Sequence, residues 1–380
     1  MADLRSLLAY CKAKKNPLLD CLRQAVEIES PSHDRAAVNR LAEFFVRQLR
    51  DLGGQVRLLK HVTAGSAVVA EFWKQARANR PILLLGHLDT VWEVGTLARM
   101  PFRVHRGAAY GPGILDMKGG IVCALWAIRA LQELQITPAS PVRMFLNSDE
   151  EVSSVSFREE ILAEARRARA VLVLEPASAH GALKTSRKGV GEFRLTVVGR
   201  AAHAGVNPSG GVNAISELAR QILRIEKLAR PRRGLTLGVN VVHGGTRSNV
   251  TSELATASID VRVPSVRDRE EIERKMHALQ PVHSEAKLIV AGGVNRPPME
   301  RKMAIGLFRQ AQELGRQMGM DLQEASTGGG SDGNFSAALG IPTLDGLGAT
   351  GDGAHARHEH VIIRELPQRA ALLAALLASL

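Results

Sequence analysis

Short apolar runs alternate with helical periodicity through the first half of the chain. From Asp34 the segment DRAAVNRLAEFFVRQLRDLGG carries apolar residues at helical spacing and ends in Gly53-Gly54, which predicts a helix closed by a glycine C-cap. SAVVAEFW, PILLLGH, VRMFLNS and AVLVLEP are short, rich in β-formers and nearly continuously apolar, with a helical run from Lys118 to Glu133 between the second and third. A strand that is apolar at successive positions is buried on both faces. The alternation therefore predicts an α/β core around a mostly parallel sheet.

Between about Ser186 and Arg296 the pattern changes. GEFRLTVVG, LTLGVNVVHG and ATASIDVRV are strand candidates, with helical runs from Ala214 and from Asp268, which predicts a smaller inserted α+β domain. After Arg301 a helix, a glycine-rich loop and a short apolar strand return to the first domain. The expected organisation is one domain from residues 1–185 and 297–380 and a second from 186–296, with no internal repeat and no low-complexity linker. The apolar run Ala370 to Leu380 falls far short of the roughly 20 residues that cross a bilayer, and is expected to be a terminal helix docked on the core.

At 380 residues and 45% hydrophobic content the chain can bury the core of two domains. Its three cysteines, Cys11, Cys21 and Cys123, show no CxxC spacing, so neither a disulfide framework nor a cysteine zinc site is expected. The apolar run around Leu7 to Tyr10 is interrupted by Lys12, Lys14 and Lys15, too short and too charged for a secretion signal. Together these predict a cytoplasmic protein. A net charge of +12 invites a nucleic-acid reading, but the arginines are scattered, aromatics are only 4%, and no nucleic-acid-binding motif occurs. A solvated basic surface is the better reading; its positive field would still be able to attract anionic substrates.

Candidate chemistry lies where the apolar strands stop, the place at which open α/β sheets hold their ligand crevice. PILLLG runs into His87 and Asp89, VRMFLNS into Asp149, Glu150 and Glu151, and AVLVL into Glu175. One such residue alone would be an ordinary solvated turn residue. GPGILDMKGG sets Asp116 in a glycine-rich loop before a helix, where an aspartate is often only an N-cap, but convergence with four other ligand-type residues favours a metal role. GLGATGDGAHARHEHV places His355 in a glycine loop, with His358 and His360 as rivals.

These motifs, GHLDTVW, YGPGILDMKGG, NSDEE, LEP, AAHAG, SNV with a later DVR, TGGGSDG and GAHARHEHV, occur in the order found in the co-catalytic zinc peptidases. The chain resembles that family, which includes bacterial glutamate carboxypeptidase, aminoacylase and succinyl-diaminopimelate desuccinylase, over nearly its whole length. The resemblance implies two zinc ions per chain, replaceable by manganese or cobalt. His87 and Glu175 would hold one, Glu151 and His355 the other, and Asp116 would bridge them, leaving room for a water. It further implies that Glu150 is the general base and that Asp89 orients the His87 imidazole, while Asp149 is structural. A cis peptide is implied after the bridging aspartate, at Asp116-Met117; many relatives have aspartate where this chain has Met117.

In the inserted domain, which the resemblance makes a lid and dimerisation domain, His203 matches a histidine that family dimers contribute to the neighbouring subunit's oxyanion. Asn249 and Arg262 match contacts to the substrate carboxylate, with Arg296 a second candidate, and Gly328, Gly329 and Gly330 match a loop lining the substrate pocket. Each has a structural alternative: core histidine, turn asparagine, surface arginine. The implied activity is hydrolysis of an amide beside a free carboxylate by a homodimer, with no nucleic-acid or membrane partner. LLLGHLDTVW, PFRV, AYGPGI and LEPAS favour the glutamate carboxypeptidase branch. A glutamate at Glu175 goes with carboxypeptidases and acylases, which leaves aminoacylase-like or dipeptidase-like hydrolysis as the alternative. A metal-free binding relative would have lost ligands, and all five are present.

Overall fold

The computed structural model describes residues 4–380, and the chain divides into two compact units. One comprises the chain up to Ser186 with Arg301–Ser326 and Ser331–Leu380; the other comprises Arg187–Glu300 with Thr327–Gly330.

The first unit is an α/β fold around a six-stranded sheet, ordered Gln55–Leu59, Ala67–Phe72, Val142–Asn147, Ile82–His87, Ala170–Val173, Thr343–Leu344. The last four are mutually parallel, and the first two join antiparallel at one edge. Ile82, Leu83, Leu84 and Leu85 are all fully buried, which explains why this strand reads as an uninterrupted apolar run. Helix Arg35–Asp51 begins where the Asp34 carboxylate accepts the Ala37 N–H at 3.0 Å. It ends with Gly53 at φ +72°, whose N–H reaches Arg50 O at 2.8 Å, as expected for a glycine C-cap.

Helix Leu366–Ser379 closes the unit, packed on helices Gly119–Glu133 and Leu4–Ala13. It is buried almost all round, so it belongs to the core as expected. Among the described residues no helix is long and apolar enough to cross a membrane.

In the second unit four antiparallel strands are ordered Thr236–Gly244, Leu254–Val263, Gly189–Val198, Lys287–Arg296. Gly189–Val198 and Leu254–Val263 alternate buried with more exposed positions, so one sheet face is covered. Phe193, Leu195, Ile259 and Val261 meet Leu218 and Ile225 of helix Ala214–Glu226 and Ile272 and Met276 of helix Val266–His277. Asn213 and Ser265 cap these helices through their side chains. The inserted region is thus α+β.

Candidate active site

Parallel pairing places His87 level with Asn147 and Leu85 level with Val173. Three strands therefore stop side by side, and the residues just beyond them, Asp89, the turn Asp149–Glu151, and Glu175, enter one crevice. Close backbone contact supports this edge. Added Cβ atoms at Gly120 and Gly348 would stand 2.0 Å and 2.1 Å from Leu174 O, so only glycine fits there. Gly348 N–H also donates to Glu175 O at 2.9 Å. Buried Arg369 donates to the carbonyls of Gly348 at 2.7 Å, Gly181 at 3.1 Å, and Gly346, tying the terminal helix to the same loop. Arg369 lies outside the motifs of the sequence; the one cation in the largely apolar run LPQRAALLAALL was its signal.

His87 Nε2 lies 3.2 Å from Asp116 Oδ1 and 3.5 Å from Glu175 Oε1. His355 Nε2 lies 3.1 Å from Glu151 Oε1 and 3.4 Å from Asp116 Oδ2. The two oxygens of Asp116 thus face two different imidazoles. Asp116 does not cap the following helix: it has φ −112° and ψ 95°, and the helix has no side-chain cap. The Asp116-Met117 peptide is cis. Met117 is buried under the strand end, where its sulfur accepts the His87 N–H at 3.0 Å.

The electrostatics favour cations. Burial opposes charge on His87, yet Asp116, Asp89 and Glu175 hold its pKa well above the ordinary value. Hydrogen bonds to Asp116 and Glu151 push His355 up to about 10. Burial works against the Asp116 carboxylate, but His355 and His87 hold its pKa well below the usual range. Ligand atoms of His87, Asp116 and Glu151 lie within 4.8 Å of one another, as do those of His87, Glu150 and Glu175. Imidazole nitrogens and carboxylates without thiolate suit zinc, manganese or cobalt.

Asp89 is completely buried, and its backbone and side chain do different work. Its carbonyl oxygen lies 2.9 Å from His87 Nδ1, nearer than its carboxylate at 3.5 Å. The carboxylate accepts the N–H of Glu150 and of Glu151, each at 3.1 Å, and the Ser32 hydroxyl at 2.7 Å. Asp149 accepts the Ser156 N–H at 2.6 Å, which fastens the same turn. Of the rival histidines, His360 stacks near Tyr110 with centroids 5.1 Å apart, its Nδ1 against His358 O at 2.9 Å.

The remaining sequence candidates lie in the second unit. Ala204 N–H donates to Asn249 O at 3.0 Å and His203 bridges to Val250, so the AAHAG and SNV motifs are neighbours. His203 is exposed, and its Nδ1 accepts the N–H groups of Gly205 and Val206 at 3.2 Å each. In a neutral ring that leaves the proton on Nε2. The Arg262 guanidinium is engaged with the Asp260 carboxylate at 2.9 to 3.1 Å. The carbonyls of Gly329 and Gly330 accept from buried Arg187 at 3.3 Å and 2.9 Å, a partner unsuspected from the sequence. Gly328 and Gly329 have open space where a Cβ would stand, whereas at Gly330 it would meet Val190 at 3.0 Å.

Comparison with known proteins gives the family and the fold. Carboxypeptidase G2 of Pseudomonas sp. (strain RS-16) is 30% identical over 376 residues, covering 96% of this chain and 89% of the relative. Aminopeptidase PepT from Bacillus cereus superimposes with a TM-score of 0.77 at 21% identity, over 96% of this chain and 98% of that one. The Bacillus subtilis YXEP protein, described as a dinuclear metal binding peptidase from M20 family, gives 0.68 at 15% identity over 97% and 98%. These two structures share the fold. The family model for Peptidase family M20/M25/M40 matches residues 83–379, and with the crevice described above the chain belongs to that family of hydrolases.

Proposed function

We propose that this carboxypeptidase-like hydrolase cleaves an amide bond adjacent to a free carboxylate, with a preference resembling that of glutamate carboxypeptidase. The observation that carries the reading is Asp116, whose Oδ1 faces His87 at 3.2 Å and whose Oδ2 faces His355 at 3.4 Å. In this reading His87 and Glu175 would hold one zinc ion and Glu151 and His355 a second, with Asp116 available to both; manganese or cobalt would serve as substitutes. Metal ions held there would supply an acidified water and a polarised scissile carbonyl.

Glu150 is buried and in reach of the same cluster, with its backbone fixed by Asp89. In the proposed mechanism its carboxylate takes a proton from the attacking water and passes it to the leaving nitrogen. The C–N bond then breaks to give a carboxylate and an amine. His203 of another copy in a homodimer donates a hydrogen bond from its Nε2–H to the oxyanion, Asn249 and Arg262 receive the substrate carboxylate, and Gly328, Gly329 and Gly330 line its path. A cytoplasmic location is supported by Cys11, Cys21 and Cys123, all free and buried.

The alternative is aminoacylase-like or dipeptidase-like hydrolysis. Its substrates carry the same carboxylate, and Arg262 already pairs with Asp260, so a carboxylate clasp there requires an exchange of partners in either reading. The deciding experiment is a screen of zinc-loaded enzyme against N-acyl-glutamates, other N-acyl amino acids and dipeptides, each as free acid and amide. A drop in kcat/KM of at least about tenfold on amidation fits loss of a charge-assisted contact. Equal hydrolysis of both forms contradicts the carboxylate requirement. Glu150→Gln should abolish turnover with metal content unchanged; an active variant removes the base assignment.

A further inference from the structure

Resting on the two-metal reading, we infer that Glu359 is the positioning residue that holds three ligand-bearing segments in register: the loop of Asp116, the turn of His355, and the stretch that follows His87. Its side chain is completely buried and makes four described contacts. Oε1 accepts the N–H of Leu115 at 2.9 Å and of Asp116 at 3.1 Å. Oε2 accepts the N–H of Gly113 at 3.0 Å and the Trp92 indole N–H at 2.7 Å. Two oxygens with two donors each match the acceptor capacity of an ionised carboxylate.

The placement of these donors gives the residue its function. Leu115 and Asp116 are consecutive, so their N–H groups can converge on one oxygen only with the backbone turned in one direction, and that direction sets where the Asp116 carboxylate points. Gly113 enters this turn at φ +68°, with Thr90 2.5 Å from where its Cβ would be, a position open only to glycine. Glu359 follows His355 by four residues, and its own N–H closes a turn on Ala356 O at 2.9 Å. The group that orients Asp116 is therefore fixed to the turn that presents His355. Trp92, five residues beyond His87, brings in the third segment. Lys118, also buried, donates to Ile28 O at 2.9 Å and adds a cation in electrostatic reach of Glu359.

The test uses the full-length protein, stripped of metal and titrated with Zn2+, with tryptophan fluorescence of the metal-free form as a second readout. Glu359→Gln keeps the shape but replaces one acceptor oxygen with an NH2 donor that must face two N–H donors. The second equivalent of zinc should bind roughly 10- to 100-fold more weakly. At saturating zinc kcat should recover to within a few-fold with KM unchanged, and tryptophan emission should shift. Glu359→Asp, which keeps the charge on a shorter stem, should rescue part of the affinity, and Trp92→Phe, which removes one of the four donors, should cost least. Wild-type zinc affinity in either folded Glu359 variant overturns the inference, as does lost activity with both ions bound normally. Failure of both Glu359 variants to fold also overturns it, by making the residue general scaffold. A wild-type chain that takes up fewer than two ions refutes the two-metal reading itself, and the wild-type titration reports that separately.

Discussion

The carboxylate of Asp89 accepts the Glu150 N–H at 3.1 Å, while the carbonyl of the same residue lies 2.9 Å from His87 Nδ1. One residue thereby fixes both an imidazole of the proposed metal centre and the acid proposed to carry the proton. Asp89→Asn keeps the carbonyl but replaces an acceptor oxygen with a donor. Loss of one charge-assisted hydrogen bond, about 1.5–3 kcal/mol, should lower kcat roughly ten- to a hundredfold with zinc content close to wild type. Steady-state kinetics beside metal analysis check this, and an unchanged kcat would show that the Glu150 turn needs no support from Asp89.

His355 supplies a pH test on the metal-free protein. Hydrogen bonds to Asp116 and Glu151 raise its folded pKa to about 10 from an ordinary value of 6.5. A raised histidine pKa stabilises the folded state fully below the unfolded value and loses that effect as pH climbs through the folded one. Chelated enzyme should therefore lose thermal stability between about pH 6.5 and about 10, by an amount reduced by the half-exposed position of the ring. Zinc uptake should release protons in the same window. Thermal melts of wild type and His355→Ala across this range decide it; parallel curves would contradict the ion pairing.

His203 is proposed to act on a neighbouring copy, so two defective chains should repair each other. Mixing His203→Ala with Glu150→Gln should restore activity, because a two-fold heterodimer has one site with both groups intact. Activity after subunit exchange is the measurement. No recovery, with exchange demonstrated, would make His203 a turn residue whose Nδ1 merely closes the contacts to Gly205 and Val206.

The central strands were legible because burial on both faces leaves an unbroken apolar run, as in Ile82–His87. Helix Arg35–Asp51 announced itself through Asp34 at one end and Gly53 at the other. Gln55–Leu59 and Lys287–Arg296 escaped notice as edge strands, largely open to solvent and without clean alternation. Strand ends pointed to His87, Glu151 and Glu175, and the resemblance to the zinc peptidases implied Asp116 and singled out His355 from its rivals; the fold brings the five together. The contact from the Asp89 carbonyl to His87 could not be read in advance, because every residue has a carbonyl and only the turn aims it. Glu359 was masked by three histidines within four residues of it, and the side chain of Arg262 gave no hint that Asp260 would take it.

Metal content per chain tests the central claim most directly. Fully loaded wild type should hold two zinc ions. Asp116→Ala should lose occupancy at both positions, since the two oxygens of one carboxylate serve two imidazoles 3.2 Å and 3.4 Å away, whereas His87→Ala should lose mainly one. Elemental analysis of the three proteins after equilibration against the same low free zinc gives the answer. A wild type with a single ion, or an Asp116→Ala variant that selectively loses one and keeps the other at wild-type occupancy, would contradict a bridged two-metal centre.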